Sequence, residues 1–449
     1  MPTPAPALAL TAPATWPARA GLRRWAVAVT VYIAAVFNRT SLGVAGLRAA
    51  HRFGITPAQL SVFVLVQLGV YAAMQVPTGL LADRYGPRRL LIAAAATMAL
   101  AQLVFAVTPS YPAALLARAI LGCGDALTFV SVLRFAAQDF APRRFPLAVA
   151  VTSMLGLGGN IVATIPLTLL LRSAGWTPTF AGVGVVSLAT GVAAWSLLPA
   201  AGPAAGPRRR LRELRAPLAQ VGRQVRAAWA TPGTRLGFWV HFSCMSLTTM
   251  FAVLWGLPYL VAQGFSQSAA SAVLLVGVLA AIVVSPPVGM IFGRFPAARV
   301  PFAISVCLVT VAGWSTLLGG FGGHPPHALI VAVVALSAVG GPASTIGFSL
   351  ARDYNSHRVV GTASGVVNVG GFSATILASL LVGGVLDLIG RTDVPAYRFA
   401  FGCAVAVQVL GTASAVRWWL RVRGHVLRAQ SRGEPVPVPL VRRQFDRVR

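Results

Sequence analysis

Long apolar runs, broken at intervals by short clusters of Gly, Pro and Arg, organise this chain. They fall at about 24–46, 59–81, 89–108, 111–137, 145–171 and 179–198, and again at about 236–261, 267–292, 299–319, 328–350, 359–386 and 396–420. Each matches the roughly 20 residues a helix needs to cross the hydrocarbon core. Barrel strands would instead alternate apolar and polar positions, and lipid offers backbone groups no partner outside their own helix. The pattern predicts an all-α integral membrane protein with 12 transmembrane helices in two sets of six. Between the sets, AAGPAAGPRRRLRELRAPLAQVGRQVRAAWATPGTR predicts a linker with a short amphipathic surface helix from Leu211 to Trp229. The expected order is a disordered tail (1–23), a six-helix bundle (24–198), the linker (199–235), a second bundle (236–420) and a basic tail (421–449).

Composition agrees with a lipid-solvated chain. Only 10% of the residues are charged and 56% are hydrophobic, where a soluble domain carries about 25% charge. The net charge of +28 comes from 37 basic residues, all arginine. A nucleic-acid partner does not fit their distribution. With the N-terminus inside, inward segments hold 28 arginines, against five in outward loops: Arg48, Arg52, Arg172, Arg391 and Arg398. Basic loops stay cytoplasmic, so both termini are expected there, in a plasma (inner) membrane whose anionic lipid attracts the basic face. The start, MPTPAPALALTAPATWPARA, lacks a basic region ahead of its apolar residues and reads as a tail rather than a signal peptide.

Chemistry of other kinds is not indicated. Cys123, Cys244, Cys307 and Cys403 stand in apolar runs without CxxC spacing and read as packing residues. GLGGN lies mid-span, outside the strand-and-helix context of a dinucleotide loop. No enzyme, cofactor or metal is expected.

The two sets are similar to each other. GLLADRYGPRR from Gly79 and GMIFGRFPAAR from Gly289 follow the second run of each set and align without gaps at Gly, Arg and the final Arg. GGNIVATI at Gly158 and GGFSATI at Gly370 occupy the fifth run of each. A duplicated six-helix unit accounts for both.

Gly79, Asp83, Arg84, Gly86, Arg88 and Arg89 resemble, position by position, the loop signature between the second and third helices of the major facilitator superfamily. With twelve spans and two similar halves, the resemblance covers nearly the whole chain. It implies two pseudo-symmetric six-helix bundles around a central cavity lined by helices 1, 4, 7 and 10, and alternating access by rocking. The signature then reads as a cytoplasmic gate. Gly79 permits close helix approach, Gly86 and Pro87 turn the chain, and Asp83 faces the positive N-terminal end of span 11 near Gly361 and Thr362. Arg84 or Arg88 is expected to pair with Asp139. The bland alternative is a topology signal that only keeps the loop inside. In the second copy Gly293 stands where Asp83 does, which predicts a weaker latch or none.

Ionisable groups within spans are costly and usually functional. Arg118 and Asp125 lie seven residues apart on one face of span 4, and RAILGCG resembles the family's fourth-helix arginine motif. Asn38 and Arg39 lie in span 1. The functional reading is that Asp125 carries or gates a proton while Arg39 and Arg118, with Asn38 beside them, take the anionic group of a substrate. The alternative is a closed Arg–Asp network joining spans 1 and 4. His241 reads as a proton carrier or an interfacial histidine, and Trp255 and Tyr259 as a binding platform or interfacial aromatics.

The expected function is secondary transport of a small solute, an organic anion or related metabolite, by proton symport. Its partners are that substrate, a proton and anionic lipid at the cytoplasmic face, with the chain a monomer. Proton-antiport efflux of drugs or metabolites is the nearest alternative, weakened because span 5 lacks the Gly-Pro pair of such members. A non-transporting receptor is the third reading.

Overall fold

The computed structural model describes residues 19–55, 57–199, 218–356 and 359–441, without the side chains of several residues inside helices, including 160–165. The tail to residue 18, linker residues 200–217, the last eight residues and the side chain of Asn160 lie outside the described residues.

The described residues form helices throughout. The first set comprises α1 (Arg19–Phe53), α2 (Pro57–Tyr85), α3 (Pro87–Val107), α4 (Tyr111–Asp139), α5 (Phe145–Ser173) and α6 (Trp176–Leu197). A linker helix, α7 (Leu218–Ala230), precedes the second set. That set comprises α8 (Pro232–Ala262), α9 (Gln267–Arg294), α10 (Arg299–Gly319), α11 (His327–Tyr354), α12 (Val360–Ile389) and α13 (Val394–Ser431). Among the described residues, eleven helices are long and apolar enough to cross a membrane. The segment expected as the fifth span is the 29-residue helix α5, whose described apolar part is Phe145–Gly159.

Local sequence sets the helix ends. Gly86 sits at φ +80, and Pro87 begins α3 where no amide is needed. Ser266 caps α9 by accepting from the Ala269 amide at 3.2 Å, and Asp393 caps α13 through Ala396 at 3.1 Å. Gly390, left-handed at φ +67, ends α12. Two helices are interrupted. α8 widens into a π turn at Phe251–Trp255, where Gly256 lies against the Phe251 carbonyl. α11 breaks around Pro342, which has no amide to donate. Thr248 of α8 donates to the Ser337 carbonyl beside that break at 2.7 Å.

Two boundaries differ from those expected. α1 starts at Arg19, so residues 19–23 are helical, and Arg24 is held in the first turns by Asp139. Of the linker helix expected from Leu211 to Trp229, residues 218–229 are described and helical, and 211–217 lie outside the described residues. Residues 421–431 continue α13, because Val422 and Val426 are buried. Val436 and Val438 fold back beneath them, and Arg423 donates to the Val441 carbonyl.

Each set has its own aromatic core at the end opposite the arginine-rich loops. In the first, Phe63, Phe105, Trp176 and Phe180 pack ring on ring. In the second, Trp314 is fully buried among Phe251, Tyr259 and Phe401, and its indole donates to Ser337 at 3.0 Å. Tyr259 is therefore a core residue, neither platform nor interfacial.

Trp314→Ala removes the centre of that cluster and a buried hydrogen bond, and is expected to cost about 3–5 kcal/mol. A thermal-unfolding scan in detergent checks it; an unchanged unfolding temperature would refute the assignment of this core.

Candidate functional site

A charged pair stands mid-membrane between α1 and α4. The Arg39 Nε and Nη2 each donate to an Asp125 carboxylate oxygen at 2.8 Å, a fork-to-fork geometry. Asp125 is 1% exposed, whereas Arg39 remains 26% exposed. The Arg39 guanidinium lies 4.7 Å from the ring centre of Tyr71 on α2. That ring meets Phe372 of α12 at 4.6 Å.

From there toward the arginine-rich end, α2 presents one contact per turn to α12. After Tyr71 comes Gln75, whose oxygen accepts from Asn368 at 2.6 Å. Then comes Gly79, where a Cβ would stand 2.5 Å from the Gly361 carbonyl. Last is Asp83, whose oxygens accept from the Gly361 amide at 2.9 Å and from the Thr362 amide and hydroxyl at 2.7 Å each. A spacing of four keeps these residues on one helix face. The carboxylate meets the free amides and positive dipole end of α12, and Arg134 of α4 stands 3.5 Å from it.

A second contact of opposite sign crosses the other way. Arg352, at the end of α11 and 7% exposed, donates to the Ala137 and Phe140 carbonyls at 3.2 and 2.6 Å. These belong to the C-terminal end of α4, where a cation suits the dipole. Arg352 was not among the residues expected from sequence, where it is one of two arginines after a span. Its only signal was a helix end rich in unpaired carbonyls nearby in space.

The expected pairing of Asp139 with Arg84 or Arg88 does not form. Asp139 accepts from Arg24 at 2.5 and 3.0 Å, because the early start of α1 brings Arg24 over the end of α4. Arg84 stacks on Tyr85, Arg88 donates to the Trp195 carbonyl at 2.6 Å, and Arg89 is exposed. In the second copy of the loop, Gly293 lies directly against the Arg143 carbonyl, and a Cβ on Gly289 would stand 2.6 Å from the Leu147 Cα. The close approach recurs there without an acid. Arg299 of that copy pairs with Asp353.

Arg118 and Asn38 lie apart from the Arg39–Asp125 pair, each 1% exposed inside the first set. Asn38 donates to Ser187 at 2.8 Å and accepts from Gln102 at 2.8 Å. His241 is not interfacial: it is 3% exposed, with Nδ1 3.0 Å from the Ser344 carbonyl and its ring 4.8 Å from that of Phe348. Trp255 donates to the Ser379 carbonyl at 3.1 Å. Helix α12 extends past its expected boundary and includes Asp387, which is exposed.

Two helix sets meeting along a polar and glycine stripe, with a buried ion pair at its head, define a membrane transporter. Residues 28–323 match the family described as Major Facilitator Superfamily, and the chain belongs to it. It is a multi-pass membrane protein and a secondary transporter of small metabolites, not an enzyme. It is similar, at 28% identity over 37% of its length and 38% of the relative's, to a probable sulfoacetate transporter of Cupriavidus necator. It is also similar, at 26% identity over 78% of its length and 85% of the relative's, to a 3-(3-hydroxy-phenyl)propionate transporter of Escherichia coli K12. Among solved structures it resembles the proton:xylose symporter XylE (TM-score 0.66, 15% identity, 89% of this chain and 95% of that one). It also resembles the human organic anion transporter MFSD10 (TM-score 0.64, 16% identity, 88% and 99%). These likenesses show the fold.

Loss of a hydrogen-bonded buried charge costs about 1.5–3 kcal/mol, so Arg352→Ala is expected to shift the closed-to-open ratio at the arginine-rich end about 10- to 100-fold. A cysteine replacing the buried Ala363, with the four native cysteines removed, reads this as faster maleimide labelling. Equal labelling rates in Arg352→Ala, Asp83→Asn and the parent would sink the gate.

Proposed function

We propose that the chain carries a small organic anion with a proton, and that the Arg39–Asp125 pair couples the two. The single observation behind this reading is the unequal exposure of the pair: a sealed carboxylate holding a guanidinium that stays 26% exposed beside a ring packed on α12. With Asp125 ionised, both its oxygens occupy Arg39. A proton on Asp125 removes its charge and leaves Arg39 a cation in need of an anion, which a substrate carboxylate or sulfonate supplies through the same fork. Loss of the proton lets Asp125 reclaim Arg39 and expel the substrate. Proton and anion thus travel together. Tyr71 and Phe372 offer apolar ring surface beside the charge, and the substrates in the two relatives' names, sulfoacetate and 3-(3-hydroxy-phenyl)propionate, are both organic acids. Asn38 and Arg118 act behind this site, within the first bundle.

The distribution of arginine supports placing the loop at 79–89 and both termini in the cytoplasm of a cell whose plasma (inner) membrane holds the protein. On that reading the shut end is the cytoplasmic gate, closed across the two sets by Gly79, Asp83 and Arg352, with Arg84, Gly86, Arg88, Arg89 and Asp139 beside it on the first set, and the structure faces outward. The two bundles, 24–198 and 236–420, rock about the α2–α12 stripe, in a monomer. A pocket of about 340 Å³ lined by Arg24, Arg88 and Arg89 supports contact with anionic lipid on that face.

In proteoliposomes with an internal pH dye, pulses of organic anions are expected to alkalinise the lumen. Asp125→Asn should abolish that proton movement while keeping exchange of labelled for unlabelled anion. Uptake and pH-gradient dependence both unchanged in Asp125→Asn would exclude the coupling role, and alkalinisation by cationic drugs alone would favour antiport.

A further inference from the structure

Every other buried arginine of the described residues reaches a carboxylate or a backbone carbonyl. Arg134 is beside Asp83, Arg299 pairs with Asp353, Arg352 caps the carbonyls of α4, and Arg423 donates to the Val441 carbonyl at 2.5 Å. Arg118 differs. It is 1% exposed between α1, α3 and α4, its guanidinium lies 4.8 Å from the ring centre of Phe105, and Nη1 reaches only the Ser41 hydroxyl at 3.5 Å. Its Nε and Nη2, the edge with which Arg39 grips Asp125, have no acceptor among the described residues.

No acid among the described residues serves it. Among the described residues the acids are Asp83, Asp125, Asp139, Asp353, Asp387, Asp393 and Glu434. All but Asp387 are engaged with another arginine, and Asp387 is exposed on α12 of the other set. Arginine does not shed its proton in proteins, and a lone charge in a low-dielectric interior is strongly unfavourable. Water would satisfy the donors and leave the charge. The neighbouring groups are already committed. The Ser41 hydroxyl donates to the Asn38 carbonyl at 2.7 Å and accepts from Gln102 at 3.4 Å, and Asn38 in turn bonds Ser187. Ala114, Ala117 and Leu121, around the same turns of α4, are fully buried, so the surroundings suit a small ion and not a metabolite.

We propose that the first bundle holds a small inorganic monoanion, a halide, on the Nε/Nη2 edge of Arg118. Its role is structural or modulatory and separate from the Arg39–Asp125 site, so it stands independently of the transport reading. The ion would neutralise the bundle interior and tie α4 to α1 and α3 just above the coupling carboxylate.

The test uses the full-length protein in detergent, with sodium chloride or bromide replacing sodium gluconate at fixed ionic strength. The unfolding temperature is expected to rise saturably with halide. Arg118→Gln should abolish the rise, and Arg39→Gln should keep it. A halide dependence absent from the parent, or equal in Arg118→Gln, overturns the proposal. Should Arg118→Gln fail to fold, bromide anomalous scattering from crystals of the parent decides: a peak at the Arg118 guanidinium supports the site and its absence refutes it.

Discussion

A charge inside hydrocarbon must find its counterpart within the protein, and that constraint places most of the contacts described above. The Arg39 and Asp125 forks could not stand separately at mid-membrane depth. Their pairing fixes α1 against α4, and Tyr71 beneath the guanidinium fixes α2 against both. From that point α2 and α12 descend together, each turn matched to a ring, an amide, a backbone carbonyl or a helix terminus. The glycines of the stripe matter because backbone and backbone touch there. A side chain at Gly79 would separate the helices and pull Asp83 out of reach of the α12 amides.

Much of this architecture was legible in the sequence because lipid imposes so strong a pattern. Run length alone located the helices, and Gly86–Pro87 marked a turn that only glycine's positive φ allows. Asp83 could be matched with the start of α12 through the resemblance of its loop to the family signature, which a carboxylate's affinity for a helix start supports. Asp139 was assigned the wrong arginine. Several arginines lie near it in sequence, and the choice of Arg24 depended on α1 beginning earlier than its apolar run.

Other features lacked any linear signal. The role of Arg352 rests on the carbonyls of α4, more than two hundred residues away in the chain, and carbonyls have no letter in a sequence. Arg118 and Asp125 share a helix face, which suggested a shared site. Seven residues are about 10.5 Å of rise, enough to put one in the interior of the bundle and the other at its edge. His241 sat near the end of an apolar run, yet Gly371 and Phe348 enclose it, since small residues on α12 let α8 approach closely.

The two caps at the arginine-rich end have opposite signs and run in opposite directions. A carboxylate of the first set holds the start of α12, and a guanidinium of the second holds the end of α4. When the sets part, positive and negative charge leave the interface together. Membrane voltage then performs little net work on the gate itself, and any electrical driving force is felt deeper in the protein, where the load is held.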